Sequence, residues 1–162
     1  MDDLTKSAFS NRPDLHVGTD GEFAGWRTWS HDSFETHSGP FWHRMEENGS
    51  IRCAFRVETK HLNGSRNVHG GCFMTFADYC LFAIAGPILH GPCVTVGFNC
   101  EFLDAAREGE LVEGTGAVTR AGGSLIFVRG QLTSGERTLF TFSGTIKRVK
   151  RKRSAMEPEG SH

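Results

Sequence analysis

The sequence predicts an α+β domain in which an antiparallel sheet wraps around one buried helix. Two observations carry this reading. Between Arg66 and Glu101 the only formally charged residue is Asp78, and Gly70 to Leu89 is a continuous apolar segment of helical length. From Cys93 onward the pattern changes to a two-residue period interrupted by short glycine-containing turns, as consecutive hairpins require.

Residues 1–32 show little periodicity and read as an N-terminal leader. In the stretch Asp32 to Pro40, Asp32 or Ser33 can cap a helix. Phe41 to Glu46 and Ile51 to Val57 read as strands around the turn Glu47-Asn48-Gly49, and Asn63-Gly64-Ser65 marks a second turn or loop. On a helical wheel Asp78 shares a face with Gly71, Met74, Thr75, Leu81, Phe82 and Ala85. Phe73, Phe76, Cys80, Ala83 and Ile84 lie opposite. A helix apolar all round is a buried one, and Gly86-Pro87 ends or kinks it.

In Cys93 to Phe102 the even positions are apolar and the odd ones more polar, which gives a strand with two distinct faces. Leu111 to Arg120, Ser124 to Thr133 and Arg137 to Lys147 follow as strands, joined through Ala121-Gly122-Gly123 and Ser134-Gly135-Glu136. The domain then spans 33–147, and 148–162 is a basic and polar tail expected to be disordered.

Composition limits the function. The chain has 162 residues, 38% of them hydrophobic and 23% charged, which fits one globular domain and excludes a disordered chain. The net charge of −1 excludes a generally basic nucleic-acid binder. It hides an asymmetry, because Lys147 to Arg153 holds six of the 18 basic residues. The polar N-terminus carries no apolar signal region, and the five cysteines lack Cys-x-x-Cys spacing. Reduced thiols in a cytoplasmic protein, with no metal site, are expected. Asp78, Pro87 and the flanking glycines argue against Gly70 to Leu89 as a membrane span.

Chemistry concentrates in Asn63-Gly64-Ser65-Arg66-Asn67-Val68-His69-Gly70-Gly71, followed by Asp78. His69-Gly70-Gly71 opens the predicted helix, where free N–H groups and a partial positive charge suit an oxyanion, and glycine permits close approach. Asp78 follows about two and a half turns later, roughly 13 Å along the axis. One helix cannot easily bring both groups to one carbonyl, whereas a symmetric dimer can supply one from each chain. A carboxylate on an apolar helix is either held by local polar groups or functional. His69 reads equally as a capping residue.

These residues resemble the hotdog-fold acyl-CoA thioesterases, most of all the phenylacetate-pathway (PaaI-like) branch. The likeness rests on Asn-Gly, on His-Gly-Gly six residues after that Asn, and on Asp nine residues after the His. It includes Gly70-Gly71-Cys72-Phe73-Met74-Thr75-Phe76-Ala77-Asp78 and the strand Val94 to Asn99, and it extends over residues 33–147. It implies a hotdog fold, hydrolysis of acyl-CoA to a carboxylic acid and CoA, and assembly as a homodimer or a dimer of dimers. No cofactor is implied beyond the CoA of the substrate. Asp78 would be general base or nucleophile. The Gly70 N–H and the Asn63 side chain would hold the oxyanion, and His69 would orient the thioester. Thr95 would position water, though it also reads as an ordinary strand threonine.

Substrate contacts are expected from Gly71, from Phe82 as pocket or core, and from Arg120, Gly122, Gly123 and Ser124. Relatives carry a basic residue for the CoA phosphates in the turn where this chain has Gly122-Gly123, so Arg120 or the basic tail would have to replace it. Two rival readings remain: a hotdog hydratase or dehydratase acting on enoyl or hydroxyacyl thioesters, and a non-catalytic acyl-CoA sensor.

Overall fold

The computed structural model describes residues 15–149. Eight strands form a single antiparallel sheet: β1 (Leu15–Val17), β2 (Arg27–Trp29), β3 (Trp42–Met45), β4 (Ile51–Arg56), β5 (Cys93–Phe102), β6 (Leu111–Ala121), β7 (Leu125–Ser134) and β8 (Arg137–Arg148). Their order across the sheet is β1-β2-β3-β4-β6-β7-β8-β5, so β1 and β5 are the two edges. A short helix, α1 (Ser33–Ser38), precedes β3, and the central helix, α2 (Gly70–Ala85), lies against β4, β6, β7 and β8. This is the expected hotdog fold.

The local chemistry explains each element. Asp32 accepts from the Glu35 N–H at 2.9 Å and caps α1. Gly49, at φ 82°, makes the β3–β4 turn. The core fills the space between sheet and helix with Phe41, Phe55, Phe76, Tyr79, Leu81, Ile126, Leu132 and Phe140. Phe55 and Phe76 meet edge to face at 4.7 Å. Glycines on the strands let the helix come close. A Cβ at Gly114 would strike Cys80, and one at Gly144 would strike Leu81.

The structure departs from the sequence reading in four places. Residues 15–29 are not a loose leader: β1 and β2 extend the sheet, and aromatic packing holds them there. Phe23 stacks on Trp42 at 5.5 Å, and Trp29 lies 4.8 Å from His43 and 4.7 Å from Tyr79. At the other end, strand β8 runs one residue past the predicted boundary to Arg148, and the Val149 N–H still donates to Pro92 at 2.8 Å. The remaining basic residues, from Lys150, lie outside the described residues.

The central helix is not covered all round. Its Phe73, Phe76, Ala77, Tyr79, Cys80, Leu81, Ala83, Ile84 and Ala85 are buried. Along another line Gly71 and Met74 are exposed, and Thr75, Asp78 and Phe82 are only half-buried. Strand β5 does not keep one alternation, because the register with β8 slips between Thr95 and Gly97. This bulge at Val96 changes which face each side chain takes. Thr95 therefore reaches the central helix, and the even-numbered Phe98 and Cys100 beyond the bulge pack against the core, while Val94 and Val96 are exposed.

All five cysteines are free. Among the described residues one helical segment, Gly70–Ile88, is long and apolar enough to cross a membrane, and it contains the core helix.

Candidate active site

Asp78 sits midway along the central helix, half-buried, on the line left uncovered by the sheet. The bulge in β5 aims Thr95 at it, and the Thr95 hydroxyl donates to Asp78 Oδ1 at 2.6 Å. Burial pushes the Asp78 carboxyl above its ordinary range. The Thr95 hydrogen bond pulls it back, and the charge of Asp32 pushes it up again. The two residues open on a cavity of about 390 Å³, walled also by Trp29, Asp32, Glu35, Phe82, Cys93 and Val94. That volume is at the low end of the roughly 300–1,000 Å³ of small-molecule sites. Glu35 is raised to about 7, first by burial and then by the charges of Asp32 and Asp78.

A second group gathers at the start of the central helix. His69 is its N-cap, and His69 Nδ1 accepts from the Gly71 N–H at 2.8 Å. Because Nδ1 accepts, the ring proton is on Nε2, which points a donor outward. The Cys72 and Phe73 N–H groups turn back to the His69 carbonyl. The Gly70 N–H is bonded to no other described residue and stays available. Phe102 packs here: a Cβ on Gly70 would come to 3.0 Å from its ring, and the ring would have to shift to admit it.

The 63–69 loop leads into this helix and is itself tightly built. Leu62 and Val68 form an antiparallel bridge. Asn63 Oδ1 accepts from the N–H groups of Ser65 at 2.9 Å and Asn67 at 3.2 Å. Arg66 takes a positive φ of 63° and pairs with Glu108 at 2.7 Å. With Oδ1 engaged, the Asn63 Nδ2 hydrogens remain as donors. Behind the loop, buried His61 bonds the Glu58 N–H through Nδ1 at 2.9 Å and the Ser38 carbonyl through Nε2 at 2.7 Å, which ties α1 to the loop.

The structure therefore sorts the residues singled out from sequence into three groups. Asp78, Thr95 and Phe82 share one cavity. His69, Gly70 and Gly71 lie at the helix start, where a concavity of about 240 Å³ takes in His69 and Gly71 beside His37 and Lys60, while Asn63 stays in the loop that leads into it, bonded to Ser65 and Asn67. Arg120 lines a separate surface depression with Asn99 and Arg129, and Gly122, Gly123 and Ser124 form the exposed β6–β7 turn; none of these four lines either of the first two spaces. Arg148 braces that turn, through its N–H to the Ser124 carbonyl at 2.9 Å and its Nη1 to the Gly122 carbonyl at 2.5 Å, and its Nη2 ties the turn to the Ile88 carbonyl at 3.1 Å.

Sequence reasoning missed Trp29, Asp32 and Glu35 as cavity walls. They lie in or beside the stretch read as leader, and the signal was present. Two of the chain's three tryptophans, Trp26 and Trp29, fall within that stretch, and a large aromatic side chain is rarely left in water.

Residues 66–154 match the model of the thioesterase superfamily. A Pseudomonas aeruginosa protein called a "putative esterase" is 34% identical over 113 residues, covering 67% of this chain and 82% of its own length. Acyl-coenzyme A thioesterase 13 of Homo sapiens is 30% identical over 87 residues, covering 53% of this chain and 62% of its own. The PaaI protein from the phenylacetic acid degradation operon of E. coli shares the fold, with a TM-score of 0.66 at 18% identity, over 74% of this chain and 86% of that one. With a hotdog sheet around its central helix, and more than half of its length within the family match, this chain belongs to the thioesterase superfamily.

Proposed function

We propose that the protein hydrolyses acyl-CoA thioesters, with Asp78 as the reacting carboxylate. The observation that carries this is the Thr95–Asp78 hydrogen bond at the mouth of an aromatic-walled cavity, on a helix whose first N–H is free. The relative named as an acyl-coenzyme A thioesterase supports CoA as the thiol.

Gly70 and Asp78 are separated by about two turns, roughly 12 Å along one helix. The site is therefore assembled from two chains. Strand β5 is an open edge with Val94, Val96 and Phe102 exposed, and the uncovered helix line lies beside it. Pairing β5 with its copy about a two-fold axis covers both. In that assembly the Gly70 N–H and Asn63 Nδ2 of one chain hold the thioester carbonyl, with the His69 Nε2–H beside them, and Asp78 of the other faces the carbonyl carbon.

The carboxylate takes a proton from water as the water oxygen bonds to carbon, or it bonds to the carbon itself and forms, once the thiolate has left, a mixed anhydride that water then cleaves to release the acid and restore the carboxylate. Charge then collects on the carbonyl oxygen, where the fixed donors act. As the carbonyl re-forms, the C–S bond breaks and the thiolate leaves, so no strong acid is demanded. Nothing in this sequence of steps requires a metal or redox group.

A free-thiol assay over a panel of alkanoyl- and arylacetyl-CoA esters tests the proposal. Thiol release that depends on Asp78 supports it. Hydration of enoyl-CoA, or binding without turnover, replaces it with one of the rival readings.

A further inference from the structure

We propose that Asp32 and Glu35 act as an electrostatic filter in the Asp78 cavity, admitting uncharged acyl groups and rejecting acyl groups that end in a carboxylate. This rests on the thioesterase reading above and specifies its substrate class.

The cavity has a polarised lining. Trp29, Phe82 and Val94 supply apolar wall, while Asp32, Glu35 and Asp78 supply three carboxyl groups and no basic side chain is present. The concavity at the helix start has the opposite character, with Lys60, His37 and His69. A CoA thioester has one small arm and one arm with three phosphate groups. The phosphates are repelled from the acidic space, so the acyl arm is the one that enters it. An acyl chain that brings its own carboxylate meets the same repulsion, with low-dielectric walls to strengthen it.

Glu35 is the discriminating member. It reaches the cavity from α1, and among the described residues no donor or cation meets its carboxyl. The ionisable groups facing it are Asp32 on its own helix, Asp78, Tyr79 and Cys80 on the central helix, and Cys93 across the cavity on β5. None of these is a cation near neutral pH. With its pKa lifted to about 7, Glu35 gains charge through the neutral range, so rejection strengthens with rising pH.

The test compares hexanoyl-CoA with adipoyl-CoA, two C6 thioesters that differ in a terminal carboxylate. Their CoA phosphates titrate alike and cancel in the ratio. In the wild type kcat/KM for hexanoyl-CoA should exceed that for adipoyl-CoA by at least about 100-fold at pH 8 and by less at pH 6, the scale of like-charge juxtaposition in a desolvated site. In Asp32→Asn/Glu35→Gln the ratio should fall by about tenfold or more, and in Glu35→Gln alone its pH dependence should flatten. Calorimetric binding of both thioesters to Asp78→Asn protein reads the same preference without turnover. A wild-type ratio near one, or a ratio unmoved by the double variant, overturns the filter. Loss of hydrolysis of both esters together with a preserved binding preference overturns the thioesterase reading and leaves the filter standing.

Discussion

Thr95 and Asp78 are joined by a 2.6 Å hydrogen bond that exists because strand β5 bulges at the residue between Thr95 and Gly97. Without the slip, the two-residue alternation would carry Thr95 on the face opposite Phe98 and Cys100, and one of the two sets would turn away from the core. The bulge thus lets a single edge strand pack apolar residues at one end and place a hydroxyl on a carboxylate at the other.

Asp78→Asn should leave the protein folded and able to bind acyl-CoA while kcat falls at least about 10²-fold. Burial already disfavours the Asp78 charge, so removing it should raise the melting temperature slightly. Melting curves and single-turnover hydrolysis on one preparation check both halves. A variant that does not fold would mark Asp78 as a structural residue.

Thr95→Val removes the hydroxyl and keeps the shape. The bond to Thr95 lowers the Asp78 pKa, so its loss lets burial raise that pKa further. The carboxylate must be ionised to react, and kcat/KM falls as pH drops through its pKa. The acid limb should therefore move to higher pH in Thr95→Val and stay in place in Thr95→Ser. A pH–rate profile with the same acid limb in all three proteins would show that Thr95 does not tune Asp78.

Asn63 offers a cleaner dissection than alanine alone. Its Oδ1 shapes the loop through Ser65 and Asn67, and its Nδ2 is free to donate to substrate. Asn63→Asp keeps the acceptor and loses the donor, whereas Asn63→Ala loses both. Both should lower kcat by about 10²-fold, with KM changed less, while Asn63→Asp should melt closer to wild type. Wild-type kcat in Asn63→Asp would reduce Asn63 to a loop residue.

Two glycines should be unequal in cost. A Cβ at Gly144 meets the Leu81 side chain, which can turn aside, whereas one at Gly116 meets the Arg129 carbonyl and the Gly130 backbone. Each alanine should destabilise by about 1–3 kcal/mol, the range for overpacking, with Gly116→Ala the worse. Chemical denaturation gives the order directly, and equal or reversed losses would contradict this account.

Glu35 links stability to pH. Its pKa rises from 4.5 to about 7 on folding, so the folded state favours the protonated form. The associated stability is present below pH 4.5 and is lost as pH climbs through about 7. Glu35→Gln should therefore be more stable than wild type at pH 8, by roughly 2 kcal/mol after solvent screening, with the gap closing toward pH 4.5. A constant gap across that range would place the Glu35 titration elsewhere.

Strands β3 to β8 and the central helix are legible in the sequence because each carries a local signal: a period, a cap or a turn dipeptide. Strands β1 and β2 are not, since three residues cannot show a period, and what holds them is the contact of Phe23 and Trp29 with residues far along the chain. The motif residues from Asn63 to Asp78 can be read because helix geometry fixes their spacing. Glu35 cannot, because its place in the cavity depends on how α1 packs against the central helix. The bulge at Val96 leaves only Gly97 as a trace.

Gly70 and Asp78 stand about two turns apart on the same rod, and this has a genetic consequence. On the proposed two-chain site, each half-site is inherited from a different copy of the gene product. An allele encoding Asp78→Asn and one encoding Asn63→Asp are each null by themselves. Produced together they pair at random, and about half of the dimers are mixed. Each mixed dimer contains one intact site and one doubly broken site, so the two nulls complement one another to about a quarter of normal activity. A single null allele beside a normal one silences only the sites it enters and is not dominant over its partner.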